Sequence, residues 1–252
     1  MKKLITLISL FIAVANLSAK AGDLDSLKTK LQLTTNDTLK GNIYKQIAAE
    51  YLKYDTIKHR GVKLYYQGEA LNYSLLALKN FSYYEDTLGM RTCFDYLAKV
   101  YQSQKKYSQA KWFLLQSNKI SRGYKDNFNV ITSLVRLASV KMDNKDYKLA
   151  MRDLNEALIL STKNKLPKLE ALVQQNFAFL YNRMNDPENG ALASKRSAEI
   201  YENIKKDEEL KLMAAQNPQD SAQIKKVDSV VKKKVYAKKS IKTNSAKKLA
   251  SL

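Results

Sequence analysis

The residues that most often carry chemistry are scarce in this chain of 252 residues. It contains one histidine, His59, and one cysteine, Cys93, whereas nucleophilic catalysis and metal binding need several such side chains close together. The seven glycines form neither G-x-x-x-x-G-K nor G-x-G-x-x-G, the motifs that hold phosphates. Carboxylates such as Glu199 and Glu202 lie among lysines at helical spacing, which is typical of solvated helix faces. We therefore expect a protein without enzymatic activity, cofactor or bound metal.

Tyrosine is the residue type best suited to recognition here, because its ring supplies contact area at a low entropic cost. The chain has sixteen tyrosines. Tyr51, Tyr101 and Tyr181 recur at equivalent positions of a repeated pattern, which predicts that they lie in the core. A second group clusters in the first part of the chain and is interpreted either as a binding patch or as additional core: Tyr65, Tyr66, Tyr73, Tyr83 and Tyr84.

A repeated pattern of apolar and small residues indicates the elements that position these side chains. Four small residues stand forty apart, at Ala70, Ala110, Ala150 and Gly190. Thirteen residues before the last three of them come a large residue and an alanine, at Leu97-Ala98, Leu137-Ala138 and Phe177-Ala178. A fixed period of this kind is typical of stacked helical hairpins, in which small side chains let two helices approach closely.

The first repeat departs from this spacing. Its large and small pair, Ile47-Ala48, stands twenty-three residues before Ala70, so ten extra residues separate its two helices. We place the insertion between Tyr54 and Tyr65, in a loop that carries His59. Turn-forming residues punctuate the other helices, and no alternating apolar pattern predicts a β-sheet.

The pattern resembles the tetratricopeptide repeat. The clearest match is formed by Leu97, Ala98, Tyr101, Tyr107, Ala110, Leu114 and Ser117, and the next by Leu137, Ala138, Tyr147, Ala150, Leu154 and Ala157. The resemblance implies an all-α, right-handed solenoid of about four helical hairpins within residues 22–205. The common unit of that family has 34 residues, so a forty-residue period implies longer helices or longer turns.

The resemblance also implies a concave face, lined by the first helix of each hairpin, that binds a peptide or protein segment. Some members of the family hold a peptide carboxylate there with lysine, asparagine and arginine, but only Lys45 and Arg136 match that set. We therefore expect a groove of apolar and amide contacts. The predicted partner-binding residues are Lys45, Leu52, Asp95, Lys99, Gln102, Val135, Arg136, Met142, Gln175, Phe179 and Asn182.

The first 21 residues have the pattern of a secretory signal peptide. Lys2 and Lys3 precede an apolar run from Leu4 to Leu17, and Ala19-Lys20-Ala21 supplies small residues at the cleavage site. The run is shorter than the roughly 20 residues that span a bilayer. We expect cleavage after Ala21, export to the periplasm or beyond in a bacterium, and no transmembrane span in the mature chain.

The formal net charge of +20 is concentrated near the end of the chain, where ten lysines and one acid follow from Lys225 onward. We interpret residues 206–237 as a C-terminal helical or capping segment and residues 238–252 as a disordered lysine-rich tail. The tail is either a solvated end or a contact to an anionic envelope surface. Nucleic acid is not expected, because the lysines lack interleaved aromatic residues.

These observations favour an exported scaffold or adaptor protein. One alternative is a free-standing or truncated sensory input module, because the chain is similar to the extracytoplasmic repeat regions of bacterial sensor histidine kinases in the residues from Asn36 to Ala48. Another is an envelope-associated protein held by its basic tail. Cys93 follows the helical pattern one residue before Phe94, which favours burial over pairing between chains.

Overall fold

The computed structural model describes residues 23–216 and contains only helices within that range. The elements are α1 (23–33), α2 (Asp37–Tyr51), a 3₁₀ helix (Leu52–Thr56), α3 (Arg60–Tyr83), α4 (Thr87–Ser103), α5 (Tyr107–Gly123), α6 (Asn127–Asp143), α7 (Tyr147–Lys163), α8 (Pro167–Arg183) and α9 (Pro187–Gln216).

Consecutive helices pack against each other, which confirms the predicted all-α solenoid of hairpins. The four hairpins are α2/α3, α4/α5, α6/α7 and α8/α9, and we call α2, α4, α6 and α8 the first helices. The helices from α4 to α8 each have 17 residues and are joined by three-residue turns. The forty-residue period therefore comes from long helices and not from long turns.

The same backbone motif ends each helix from α3 to α8. One residue in every turn has a positive φ between 53° and 64°, and these residues are spaced by twenty: Glu85, Lys105, Lys125, Lys145, Lys165 and Asn185. At the turn after α4, the Lys106 N–H donates to the Tyr101 carbonyl at 2.8 Å and the Lys105 N–H donates to Gln102 at 2.9 Å. This Schellman pattern satisfies carbonyls that the helix end would otherwise leave without partners.

The small residues at the forty-residue spacing are buried at the contact between the two helices of each hairpin, as predicted. Beside them lies a pair of facing residues, one on each helix of the hairpin, whose identity differs between the hairpins. It is a stacked pair in the first two hairpins, Tyr51–Tyr73 and Tyr101–Phe113. In the third hairpin it is a buried ion pair between Lys141 and Asp153, and in the fourth it is Tyr181 with Ala193.

Two elements near the N-terminus were not predicted. Helix α1 presents Leu24, Leu27 and Leu31 to the core of the first hairpin, so it covers the apolar face that a first repeat would otherwise expose. The predicted loop from Tyr54 to Tyr65 is also wrong in part, because α3 begins at Arg60. His59 is the N-cap of that helix, and its Nδ1 accepts a hydrogen bond from Val62 N–H at 3.3 Å.

Helix α9 is continuous across the predicted boundary between residues 205 and 206. The chain divides into two compact units after Ser197; in the second, exposed ion pairs join Glu202 to Lys206 and Lys205 to Glu209. The predicted signal peptide, residues 217–237 and the lysine-rich tail lie outside the described residues. Among residues 23–216, no helix is both long and apolar enough to cross a bilayer.

Candidate functional site

Polar side chains join α4 to the 3₁₀ helix and to α6, and α6 to α8, along the face that the sequence predicted to be concave. Between α4 and the 3₁₀ helix that follows α2, the Lys99 ammonium donates to the Leu52 carbonyl at 3.1 Å and lies 2.9 Å from Asp55. The Tyr54 hydroxyl donates to the Lys99 carbonyl at 3.2 Å. Lys99 therefore holds the inserted 3₁₀ segment against α4.

The same type of contact continues between α4, α6 and α8. Arg136 on α6 lies 2.8 Å from the Asp95 carboxylate on α4, and Gln102 donates to Asp143 at 2.7 Å. Arg183 on α8 donates to Asp143 at 2.8 Å. We call these contacts the polar ladder. Its side chains form their hydrogen bonds and ion pairs with neighbouring helices.

Three predicted partner-binding residues are not on the surface. Val135 and Met142 are buried in the core formed by α6, α7, α8 and α9, and Leu52 is buried in the core of the first hairpin. The prediction was wrong for these three because their side chains belong to apolar core clusters. They pack within the solenoid and offer no contact area to a partner.

Lys45 and Arg136, the two residues that matched a carboxylate-binding set, also have internal partners. The Lys45 ammonium lies 5.4 Å from the centre of the Phe81 ring, a cation–π contact. Cys93 is buried nearby, as predicted. Burial raises the pKa of its thiol to about 12, although the charge of Lys45 acts in the opposite direction.

The predicted residues that remain available lie on α8. Gln175, Phe179 and Asn182 are exposed, and no described residue forms a hydrogen bond or ion pair with the two amides. Phe179 is 53% exposed. Its counterparts forty and eighty residues earlier are Ser139, which accepts a hydrogen bond from Gln102 at 3.1 Å, and Lys99, which donates to Leu52. We call Gln175, Phe179 and Asn182 the α8 patch.

The tyrosine cluster contains both of the kinds of residue that the sequence left open, buried core residues and exposed residues. Tyr66 and Tyr73 pack around Tyr51 at ring distances of 5.1 and 5.8 Å, so they enlarge the core. Tyr83 and Tyr84 are exposed and meet edge to face at 4.9 Å. They border an open groove of about 670 Å³ that lies between α2 and α3.

Sequence reasoning missed Asp55, Asp143 and Arg183 as partners in the polar ladder. One signal was present, because Asp143 and Arg183 are forty residues apart and therefore occupy equivalent positions on adjacent first helices. Within residues 23–216, no group of three or more histidine, cysteine, aspartate or glutamate side chains is placed to hold a metal ion.

Solved structures share this architecture. The chain matches the crystal structure of BtubC (BKLC) from P. vanneervenii with a TM-score of 0.60 and 17% identity, over 76% of this chain and 78% of that one. It matches the apo form of RapI with a TM-score of 0.54 and 17% identity, over 73% of this chain and 48% of RapI. The shared fold is a helical repeat. The chain thus spans about half the length of RapI, and no protein-family model or curated protein matches it.

Proposed function

We propose that this protein is a non-enzymatic interaction scaffold that binds a protein or peptide segment at the α8 patch. The observation that carries the proposal is the contrast along the first helices. The polar side chains of α4 and α6 bind neighbouring helices, whereas Gln175 and Asn182 on α8 have no partner among the described residues and flank an exposed phenylalanine. A central aromatic residue surrounded by free amides suits the recognition of a polypeptide.

The helical-repeat fold supports this proposal, because such solenoids present long surfaces for partners.

We also propose that the chain is exported to the periplasm or beyond, with the mature protein beginning at Gly22. N-terminal sequencing of the protein purified from its own cells tests this point.

The two solved structures give no link to sensor kinases, so a sensory input module remains an interpretation of the sequence resemblance. Binding of the tail to an anionic surface remains a prediction.

Affinity capture with matched variants tests the scaffold proposal. The mature protein is used as bait against solubilised envelope proteins, beside the variants Phe179→Ser and Leu115→Ser. Leu115 on α5 is the matched control, because it is also 53% exposed and lies outside the first-helix face. Truncating a central aromatic contact typically costs about 2 kcal/mol or more, which weakens binding roughly thirtyfold.

The proposal predicts that Phe179→Ser loses a protein that the wild type and Leu115→Ser both retain. Circular dichroism of the three proteins establishes equal helix content, so a loss of capture cannot come from unfolding. If Phe179→Ser retains every captured protein, or if both variants lose the same ones, the α8 patch is not the binding surface.

A further inference from the structure

The fourth hairpin lacks a side chain that the other three possess. At the position pair beside the small residues, Tyr73, Phe113 and Asp153 fill the space next to the first helix in the first three hairpins. The equivalent residue in α9 is Ala193. The fourth hairpin therefore has only a methyl group next to the ring of Tyr181, where the first two hairpins have a ring and the third has a carboxylate.

A second replacement widens the same space. Phe94 on α4 contacts the rings of Phe113 and Trp112 at 6.0 and 6.2 Å, but its equivalent eighty residues later is Gln174. The result is a partly open hollow of about 150 Å³, lined among others by Leu158, Gln174, Phe177, Tyr181, Ala193 and Arg196. A volume of about 150 Å³ is large enough to hold a benzene-sized ring, and the walls combine apolar side chains such as Phe177 and Leu192 with the amides of Asn155 and Asn189.

Two polar side chains at the hollow, Gln174 and Arg196, have no hydrogen-bond or ion-pair partner in the part of the chain that the structure describes. Gln174 is only 7% exposed, yet its amide makes no hydrogen bond to any described residue. The amide is not among the buried side-chain groups without a partner, so it reaches the open hollow and is free to hydrogen-bond a ligand there. Arg196 at the rim forms no ion pair with a described residue, and no carboxylate lines the hollow. The local charge is therefore complementary to an anion.

We propose that this hollow holds an aromatic side chain of a bound polypeptide, with a carboxylate of the same segment beside Arg196. The proposal rests on the proposed scaffold function and names the chemistry of its partner. The second hairpin provides the precedent, because Phe113 stacks on Tyr101 at 5.4 Å with an interplanar angle of 7°. An incoming ring occupies the equivalent place on Tyr181, and the Gln174 amide binds the backbone of the segment.

Small probes test this site without knowledge of the partner. The full mature chain, labelled with ¹⁵N, is titrated to millimolar concentrations with N-acetyl-phenylalanine, which has both a ring and a free carboxylate. N-acetyl-alanine lacks the ring, and N-acetyl-phenylalaninamide lacks the charge. The proposal predicts saturable shifts of amide signals in α7, α8 and α9 for the first probe, and weaker binding of both others.

Two substitutions separate the site from nonspecific binding. Ala193→Phe fills the hollow with the protein's own ring, so it should weaken N-acetyl-phenylalanine by at least about tenfold while raising the melting temperature. Arg196→Gln should remove the preference for the free acid over the amide and leave ring binding intact. A filled hollow that stabilises the fold and abolishes binding cannot be explained by misfolding.

Absence of saturable shifts in the wild type, or equal binding of N-acetyl-phenylalanine to Ala193→Phe, would overturn the proposal. This failure is distinguishable from failure of the scaffold function. A protein captured through Phe179 with no probe bound at Tyr181 would contradict the hollow alone. Probe binding that is lost in Ala193→Phe supports the hollow whatever the outcome at Phe179.

Discussion

The buried ion pair of the third hairpin provides a quantitative test of the packing argument. Lys141 and Asp153 form a contact of 2.5 Å and are 9% and 5% exposed, at the positions where the second hairpin has Tyr101 and Phe113. Removing two charges from water costs several kcal/mol per ion, and their mutual attraction often fails to recover that cost. The double variant Lys141→Tyr/Asp153→Phe copies the aromatic pair and should stabilise the fold by about 1–4 kcal/mol.

The single substitution Lys141→Tyr should act in the opposite direction. It leaves the Asp153 carboxylate buried without a cation, and breaking such a pair typically costs about 3–5 kcal/mol. For a protein of this size, each kcal/mol shifts the melting temperature by roughly 2–4 °C. Reversible denaturant unfolding of the wild type, both single variants and the double variant gives the coupling energy between the two positions.

The pH dependence supplies an independent check. Burial raises the pKa of Asp153 above its ordinary value of 3.8, although the hydrogen bond from Lys141 acts against the shift. A raised folded-state pKa means that this group's contribution to stability is present below pH 3.8 and is lost as the pH rises through the folded value. The gain of the double variant should therefore be larger at pH 7 than below pH 4. A double variant less stable than the wild type at pH 7 would refute the reasoning.

Three further predictions concern single positions. Gly41→Ala should destabilise the fold by about 1–3 kcal/mol in chemical unfolding, because the new Cβ would lie 2.3 Å from Oδ1 of Asn80 and 3.0 Å from the buried ring of Phe81; a neutral result would contradict the described approach of α2 and α3. Gly190→Ala should instead stabilise it by about 0.5–1 kcal/mol, since its new Cβ is opposed mainly by an exposed asparagine side chain that can rotate away; a loss of stability would show that this side chain is fixed. Cys93 should react with iodoacetamide at pH 8 only after unfolding, since burial and a pKa near 12 keep the native thiol protonated; equal labelling rates with and without denaturant would show an exposed thiol.

The regular part of the fold was predictable because small residues recur at fixed positions in the sequence. A small residue is needed wherever two helices of a hairpin touch, so Ala70, Ala110, Ala150 and Gly190 marked the second helices from α3 to α9. The turns were predictable because polar, turn-forming residues separate the helices. Helix α1 has no counterpart in the repeat, so the period gave no indication of it, although its leucines at Leu24, Leu27 and Leu31 follow helical spacing.

The candidate surface was less predictable, because exposure depends on contacts between hairpins. The sequence placed Leu52, Val135 and Met142 on the binding face, whereas the stacking of neighbouring hairpins buries them. It also treated Lys99 and Arg136 as available to a partner, but their acceptors come from other helices and could be identified only once the hairpins were in place. Phe179 remained exposed because no described ladder contact reaches it.

Site-specific photocrosslinking tests the central claim, that this solenoid binds a polypeptide through its fourth hairpin, most directly. The photoreactive residue p-benzoylphenylalanine is introduced at Phe179 or at Leu115 in the full chain, produced in its own cells, and irradiated. We expect a discrete crosslinked species from position 179 that is absent from position 115. No crosslink at position 179, or the same species from both positions, would contradict it.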